Sequence, residues 1–144
     1  MRYSETGYSL EVDLSRGSIE RVETDPKLIE RHLGGLGINA KILWDRVPPE
    51  VEPFSPDNLI IFGAGLLCGT PAPGANRTII SSMSPQTQFM AYSMMGGFWA
   101  PELKHAGYDR VIVRGKSPHL VYLWIDNDKI EIRDARYLQG KGSL

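Results

Sequence analysis

Apolar and polar positions alternate from the start of the chain. Tyr8, Leu10, Val12 and Leu14 recur at every second residue, and this predicts a strand over residues 8–14. Ser15-Arg-Gly-Ser18 reads as a turn and residues 19–23 as the returning strand of a hairpin. The period then changes. Leu28, Ile29, His32 and Leu33 follow helical spacing, with Asp25 placed as N-cap and Pro26 at the first helical position, where a missing N–H costs little. Gly34-Gly35 is expected to stop that helix. A second helix is expected over residues 39–45, with Ile42 and Leu43 inward, and a Pro- and acid-rich surface connection runs on to Pro56. Leu59-Ile-Ile-Phe62 is a continuous apolar run that suits a buried central strand. Strands are further expected over 78–82 and 88–92 around a Ser84-Pro85 turn, and a helix over 98–105. A strand over 110–114 follows, then a hairpin of 120–125 and 129–133 turning at Asp126-Asn-Asp128. Hairpins with helices between them favour an α+β domain over a doubly wound parallel sheet.

Composition narrows the functional classes. The chain has 144 residues, 42% of them hydrophobic, which suits one domain with a core of its own. Sixteen Lys and Arg against seventeen Asp and Glu leave a formal charge of −1, so no global basic field favours nucleic acid. No apolar run approaches the roughly 20 residues of a membrane-spanning helix, and the first residues lack the apolar core of a secretory signal. A cytoplasmic location is the default expectation. Cys68 is the single cysteine, so it forms no internal disulfide and holds no iron–sulfur cluster by itself. His32, His105 and His119 share no metal-ligand spacing. Trp44, Trp99 and Trp124, with Met90, Met94 and Met95, are expected to fill the core or an interface.

Candidate chemistry concentrates in residues 63–104. A Pro/Gly loop ends in one arginine, Gly69-Thr-Pro-Ala-Pro-Gly-Ala-Asn-Arg77, and a second glycine turn follows in Met94-Met-Gly-Gly-Phe-Trp-Ala-Pro101. Glycine lets backbone N–H groups approach an anion, and a guanidinium offers a planar fork to phosphate or to a heterocycle edge. A helix start after Gly97 would add to the same positive field. The loops match neither GxxxxGK[ST] nor GxGxxG between strand and helix. Asn76 either caps its turn or donates to phosphate. Gly96 and Gly97 either form a tight turn before a helix or line a ligand.

Residues along the whole chain resemble the N-terminal domain of the aldehyde:ferredoxin oxidoreductase family of tungsten enzymes. The resemblance rests on Gly7-Tyr-Ser-Leu-Glu-Val-Asp-Leu14, Leu33-Gly-Gly-Leu-Gly37, Pro53-Phe-Ser-Pro-Asp-Asn-Leu-Ile60, Gly65-Leu-Leu-Cys-Gly-Thr-Pro-Ala-Pro-Gly74, Arg77, Ser84-Pro85, Gly96-Gly97 and Lys104-His-Ala-Gly-Tyr-Asp109. Residues 42–53 and 91–103 look most similar to the tungsten subunit of class II benzoyl-CoA reductase. The resemblance implies mixed, largely antiparallel sheets and a single, incomplete cofactor-binding domain over residues 1–144. It also implies a tungsten bis-pyranopterin with magnesium bridging its phosphates, and a [4Fe-4S] cluster ligated outside this chain. Molybdenum in place of tungsten stays open. The implied partners are the remainder of the tungsten subunit, an iron–sulfur electron-transfer subunit or ferredoxin, and an acyl-CoA or aldehyde substrate. A homodimer also stays open.

On this resemblance Arg77 contacts the pyranopterin or its phosphates, with Asn76, Met94, Met95, Gly96 and Gly97 as further cofactor-binding positions and no catalytic or metal-ligating side chain. Met94 departs from members that carry an amide at that place. Its thioether is a poor ligand for magnesium, which leaves the backbone carbonyl. Cys68 stands where a threonine is frequent and reads as a small buried residue. The implied activity is reduction of benzoyl-CoA to a cyclic dienoyl-CoA, with ferredoxin-linked aldehyde oxidation as the rival. A chain stopping at Leu144 would instead suit a truncated, non-catalytic cofactor-binding or interaction module with an exposed apolar face or strand edge.

Overall fold

The structure, a computed structural model, describes residues 4–142; residues 1–3 and the last two positions of the Gly140-to-Leu144 tail lie outside them. The predicted opening hairpin is present as β1 (Tyr8–Asp13) and β2 (Ser18–Glu23), paired antiparallel. Asp25 does cap helix α1 (Pro26–His32), its carboxylate accepting from the Lys27 N–H, with Pro26 in the first turn.

The next helix differs from expectation. Helix α2 spans Gly35–Arg46 and starts well before residue 39. Leu33 adopts φ +62° at the end of α1, and Gly34 is the extended N-cap of α2. The glycines here serve close approach instead of a loop. A Cβ added at Gly37 would lie 2.4 Å from His32 O, and one at Gly35 would lie 2.9 Å from Ile79 Cδ1. The two helices therefore meet almost without a linker.

Strands β3 (Leu59–Ala64), β4 (Thr78–Met83), β5 (Met90–Met95) and β6 (Arg110–Arg114) complete one sheet in the order β2-β1-β6-β3-β4-β5. Only the β1–β6 pair is parallel, so the domain is α+β and not doubly wound. Helix α3 (Trp99–His105) and a separate ribbon of β7 (Val121–Asp126) and β8 (Lys129–Asp134) follow, with a short 3-10 turn at Arg136–Leu138.

The layers follow from the strand alternation. On one face Leu59, Ile61 and Ile112 pack with Ile29, Ile38, Ile42 and Leu43 of α1 and α2. On the other, Leu10, Val12 and Val111 pack with Leu103 and Tyr108, and Leu123, Ile125, Ile130 and Ile132 of the ribbon close over them. Fully burying one such aliphatic side chain contributes about 1.5–3 kcal/mol.

On the α2 face coverage reaches β4, where Ile79 and Ser81 are buried, and on the other face it thins along β3. Ile60 is exposed on the face away from α2, so the apolar run at 59–62 is central in the sheet without being buried on both sides. Strand β5 is exposed along its whole length. Core filling by the tryptophans and this methionine group is not what the structure shows. Trp44 is 86% exposed, Met90, Met94, Met95 and Trp99 are exposed, and Trp124 lies under the Arg133 guanidinium, 3.8 Å from its ring centroid. No helix among the described residues is long and apolar enough to cross a membrane.

Candidate functional site

The strand register brings the two glycine-rich segments together. Thr78 pairs with Ala64 on one side and with Met95 on the other, so three strand ends meet at one edge of the sheet. Continuing that register places Arg77, one residue before Thr78, beside Gly96, one residue after Met95. The Asn76 amide closes the gap, its Oδ1 and Nδ2 lying 4.0 Å from a Cβ built on Gly96. The sequence suggests that the two turns aim at one point, and the sheet register makes them neighbours.

Met94 and Met95 do not lie in the turn. They end strand β5, which runs Met90–Met95 instead of 88–92, because the hairpin before it consumes more chain. That hairpin closes by Ser84 N–H to Phe89 O at 2.8 Å and Gln88 N–H to Ser84 O at 2.8 Å, with Gln88 at φ +58°. Met94 pairs with Ile79 and so shares the α2 side of the sheet, while Met95 shares the other side with Thr78. Helix α3 begins at Trp99 and has seven residues, about two turns, so the backbone of the turn and not a long helix field is what this edge offers.

Arg77 is held through its main chain and free at its side chain. Its carbonyl accepts from the Gly65 N–H at 3.2 Å and from the Cys68 thiol at 3.3 Å. Cys68 is itself buried, as its small apolar character suggested. The exposed Arg77 guanidinium and Asn76 amide make no hydrogen bond or ion pair with the described residues. Asn76 therefore does not cap its turn with its side chain; its backbone N–H bonds Gly74 O at 3.0 Å.

Three observations test whether a phosphate-bearing cofactor fits this edge. Gly97 at φ +99° and Gly74 at φ +70° have nothing within 4 Å of a Cβ position, so their backbone faces open space. The two polar side chains are unpartnered, as above. Thr78 Oγ1 is buried without a hydrogen-bond partner among the described residues. The donor set of guanidinium, amide and open glycine backbone fits an anionic, heterocyclic group. Among the described residues, no three His, Cys, Asp or Glu side chains come together as a metal-binding group.

Sequence reasoning missed the supports behind the edge. Lys104 Nζ and Asp109 Oδ1 form an ion pair at 2.6 Å with both side chains 5% exposed. Asp109 also accepts the Thr6 N–H at 3.0 Å and the Gly7 N–H at 2.9 Å. Burial pushes its carboxyl up, but the Lys104 ammonium and the two N–H donors outweigh burial and hold it below the ordinary aspartate value. The neighbouring Arg110 is buried, its guanidinium donating to Ser9 and Thr24 hydroxyls at 3.0 and 3.1 Å. Desolvation lowers its pKa while Asp109 pulls it back. His105 Nε2 reaches Gly69 O at 3.2 Å, tying α3 to the Pro/Gly loop. No local pattern announces these contacts, because each joins segments distant in sequence or depends on how α3 is docked.

Known proteins resemble the chain over almost its full length. One chain of the active site complex BamBC of benzoyl coenzyme A reductase, solved with 1,5 dienoyl-CoA, superposes with a TM-score of 0.97 and 76% identity, covering 99% of this chain and 22% of that one. The tungsten-containing aldehyde ferredoxin oxidoreductase of Pyrococcus furiosus is 40% identical over 139 residues, 96% of this chain and 23% of the relative. The aliphatic sulfonate oxidoreductase WOR-like subunit of the same organism is 37% identical over 145 residues, 99% of this chain and 23% of the relative. The chain thus spans less than a quarter of the length of these relatives. The model of the aldehyde ferredoxin oxidoreductase N-terminal domain matches residues 9–144, and the chain belongs to that family.

Proposed function

We propose that this chain is the cofactor-seating N-terminal part of a tungsten iron–sulfur oxidoreductase that reduces benzoyl-CoA to a cyclic dienoyl-CoA. The supporting observation is the 76% identity to a chain of the benzoyl coenzyme A reductase active-site complex, nearly twice the 40% shared with the aldehyde enzyme of Pyrococcus furiosus. The substrate reading comes from that similarity. The cofactor reading also has the open glycine edge behind it.

Each residue has a binding role and none a proton-transfer role. Arg77 offers two parallel N–H donors to a phosphate or to the pterin edge, and Asn76 adds an amide beside it. Gly97 and Gly96 let backbone groups approach without a Cβ in the way. Were magnesium bound here, the Met94 main-chain carbonyl or water would hold it, since the thioether is too soft. When bound, a bis-pyranopterin tungsten centre supplies the low-potential electron transfer, and the [4Fe-4S] cluster takes its ligands from outside these residues.

The test is to purify the native enzyme, determine tungsten and molybdenum content, and assay it with benzoyl-CoA and with aldehydes under reducing and oxidising dyes. Uptake of two electrons and two protons per benzoyl-CoA, with tungsten present, is expected. Dye reduction by aldehydes without benzoyl-CoA turnover would establish the rival activity.

A further inference from the structure

We propose that His105 is a positioning residue for the cofactor edge, holding the Gly69 side of the loop that carries Asn76, while the sheet register and the bonds from Gly65 and Cys68 to its carbonyl fix Arg77. The inference rests on the cofactor-seating reading above and assigns a residue that the family resemblance did not single out.

The loop between β3 and β4, residues 65–77, is packed into the domain at Leu66 and Cys68 but has few hydrogen-bond tethers to it. Most of its hydrogen bonds are internal: Cys68 N–H to Gly65 O, Thr70 N–H to Leu67 O, Ala75 N–H to Ala72 O and Asn76 N–H to Gly74 O, with the Gly65 N–H and the Cys68 thiol pinning the Arg77 carbonyl at the loop's end. Among the described residues, hydrogen bonds from outside reach it at two places, Ser4 Oγ to Leu66 O and His105 Nε2 to Gly69 O. His105 is the later of the two. Beyond Gly69, residues 70–77 make no other hydrogen bond to described residues outside the loop before the chain re-enters the sheet at Thr78.

The contact at Gly69 is close as well as polar. Gly69 sits at φ +78°, and a Cβ there would meet His105 Nε2 at 3.3 Å and Lys104 Cβ at 3.4 Å. Loop backbone is thus pressed on the last turn of α3. Because the acceptor is a carbonyl, Nε2 carries the proton, whichever state Nδ1 adopts.

Helix α3 makes this tether consequential. It grows directly out of the Gly96-Gly97 turn, so one half of the edge is its N-terminal continuation. At its other end Lys104 is fixed to Asp109, and Ala100 packs with Ala64 and Cys68 beneath the loop. One rigid two-turn helix therefore spans both glycine segments, covalently at one end and through His105 at the other. His105 is exposed, so its removal opens no core cavity, and its effect is separable from folding.

The experiment compares His105→Ala and His105→Gln in the full-length native enzyme by hydrogen-exchange mass spectrometry, tungsten content after prolonged dialysis and thermal unfolding. Glutamine reaches the same carbonyl with an N–H donor. His105→Ala is expected to raise exchange in peptides covering residues 65–77 several-fold and to lose tungsten several-fold faster, with unchanged melting temperature; His105→Gln restores both. Unchanged exchange in His105→Ala overturns the tether. Equal loosening in both variants overturns the hydrogen-bond account. A loosened loop with undiminished tungsten retention overturns the positioning role. Absence of any tungsten or pterin from the unsubstituted enzyme overturns the cofactor-seating reading and the cofactor role built on it, while the exchange data still decide whether His105 holds the loop.

Discussion

Replacing Asp109 by asparagine tests what fixes the far end of α3. The carboxylate holds three donors in two directions, Lys104 Nζ at 2.6 Å and Thr6 N–H at 3.0 Å on Oδ1 and Gly7 N–H at 2.9 Å on Oδ2, and it sits in the field of the adjacent Arg110. An amide supplies one acceptor oxygen and turns an NH2 toward donors that need an acceptor. It also leaves the Lys104 ammonium, 5% exposed, without a counter-charge. Removing one partner of a buried pair costs about 3–5 kcal/mol. At 1.4 kcal/mol per tenfold, local opening becomes about two to four powers of ten more frequent. Hydrogen exchange in the full-length enzyme reads this in peptides covering the β1 entry and α3. Lys104→Met should cost less, because Asp109 keeps two N–H donors and the Arg110 field. The double variant should cost less than the sum of the single ones, since the stranded charge is gone. If Asp109→Asn changes exchange by less than about fivefold, equivalent to about 1 kcal/mol, the pair is solvated and the reasoning fails.

The same carboxylate sets an acid limit. Because its folded pKa lies below the unfolded value of about 3.9, its contribution is complete above that value and is lost as pH falls through the lower folded one, so α3 docking should weaken below about pH 4 and stay level from pH 5 to 8. Exchange measured across that range would show it, and loss of protection between pH 5 and 8 would point to another group. Arg77→Lys replaces a bidentate fork by a point charge, and tungsten retention in the whole enzyme should fall about tenfold, as for loss of one charge-assisted hydrogen bond. Undiminished occupancy would remove Arg77 from the site. Gly37→Ala places a Cβ 2.4 Å from His32 O, and the overlap should destabilise by about 1–3 kcal/mol despite the roughly 0.5–1 kcal/mol that alanine gains in a helix. An unchanged melting temperature would show that the α1–α2 junction yields freely.

Local signals predicted local structure. The alternation at residues 8–14, the Asp25-Pro26 cap and the two-residue turn between β7 and β8 each act within a few residues, and each appears where expected. What failed to show was set by distant partners. Gly34-Gly35 reads as a helix stop and α1 does end before it, but the immediate start of α2 at Gly35 and the contact of Gly35 with Ile79 depend on a strand more than forty residues away. The frame of β5 depends on how many residues the Ser84 hairpin consumes. The parallel pairing of β1 with β6 joins segments about a hundred residues apart, with β2 to β5 formed between them. Arg77 and Gly96 could be nominated singly from glycine and arginine chemistry, but their adjacency is a property of the Thr78–Met95 register.

That register also explains why the site lies where the domain is least covered. Residues 85–99 are exposed throughout, and they include Phe89 at 78% before the start of β5 and Phe98 at 82% beside the Gly96-Gly97 turn. Apolar side chains at this density around a polar edge resemble half of a recognition surface more than an ordinary solvent face. Charge interactions bear on the same point. At equal distance, a guanidinium and a phosphate attract about four times more strongly at an effective dielectric of 20 than in water. With its edge open, Arg77 would hold an anion weakly, and anything packed over Met95 and Phe98 would exclude water and strengthen the same contact without moving it. On the cofactor-seating proposal, the grip of the edge would therefore be a joint property of Arg77 and of whatever covers this end of β5, which is why substitutions at Arg77 belong in the whole enzyme.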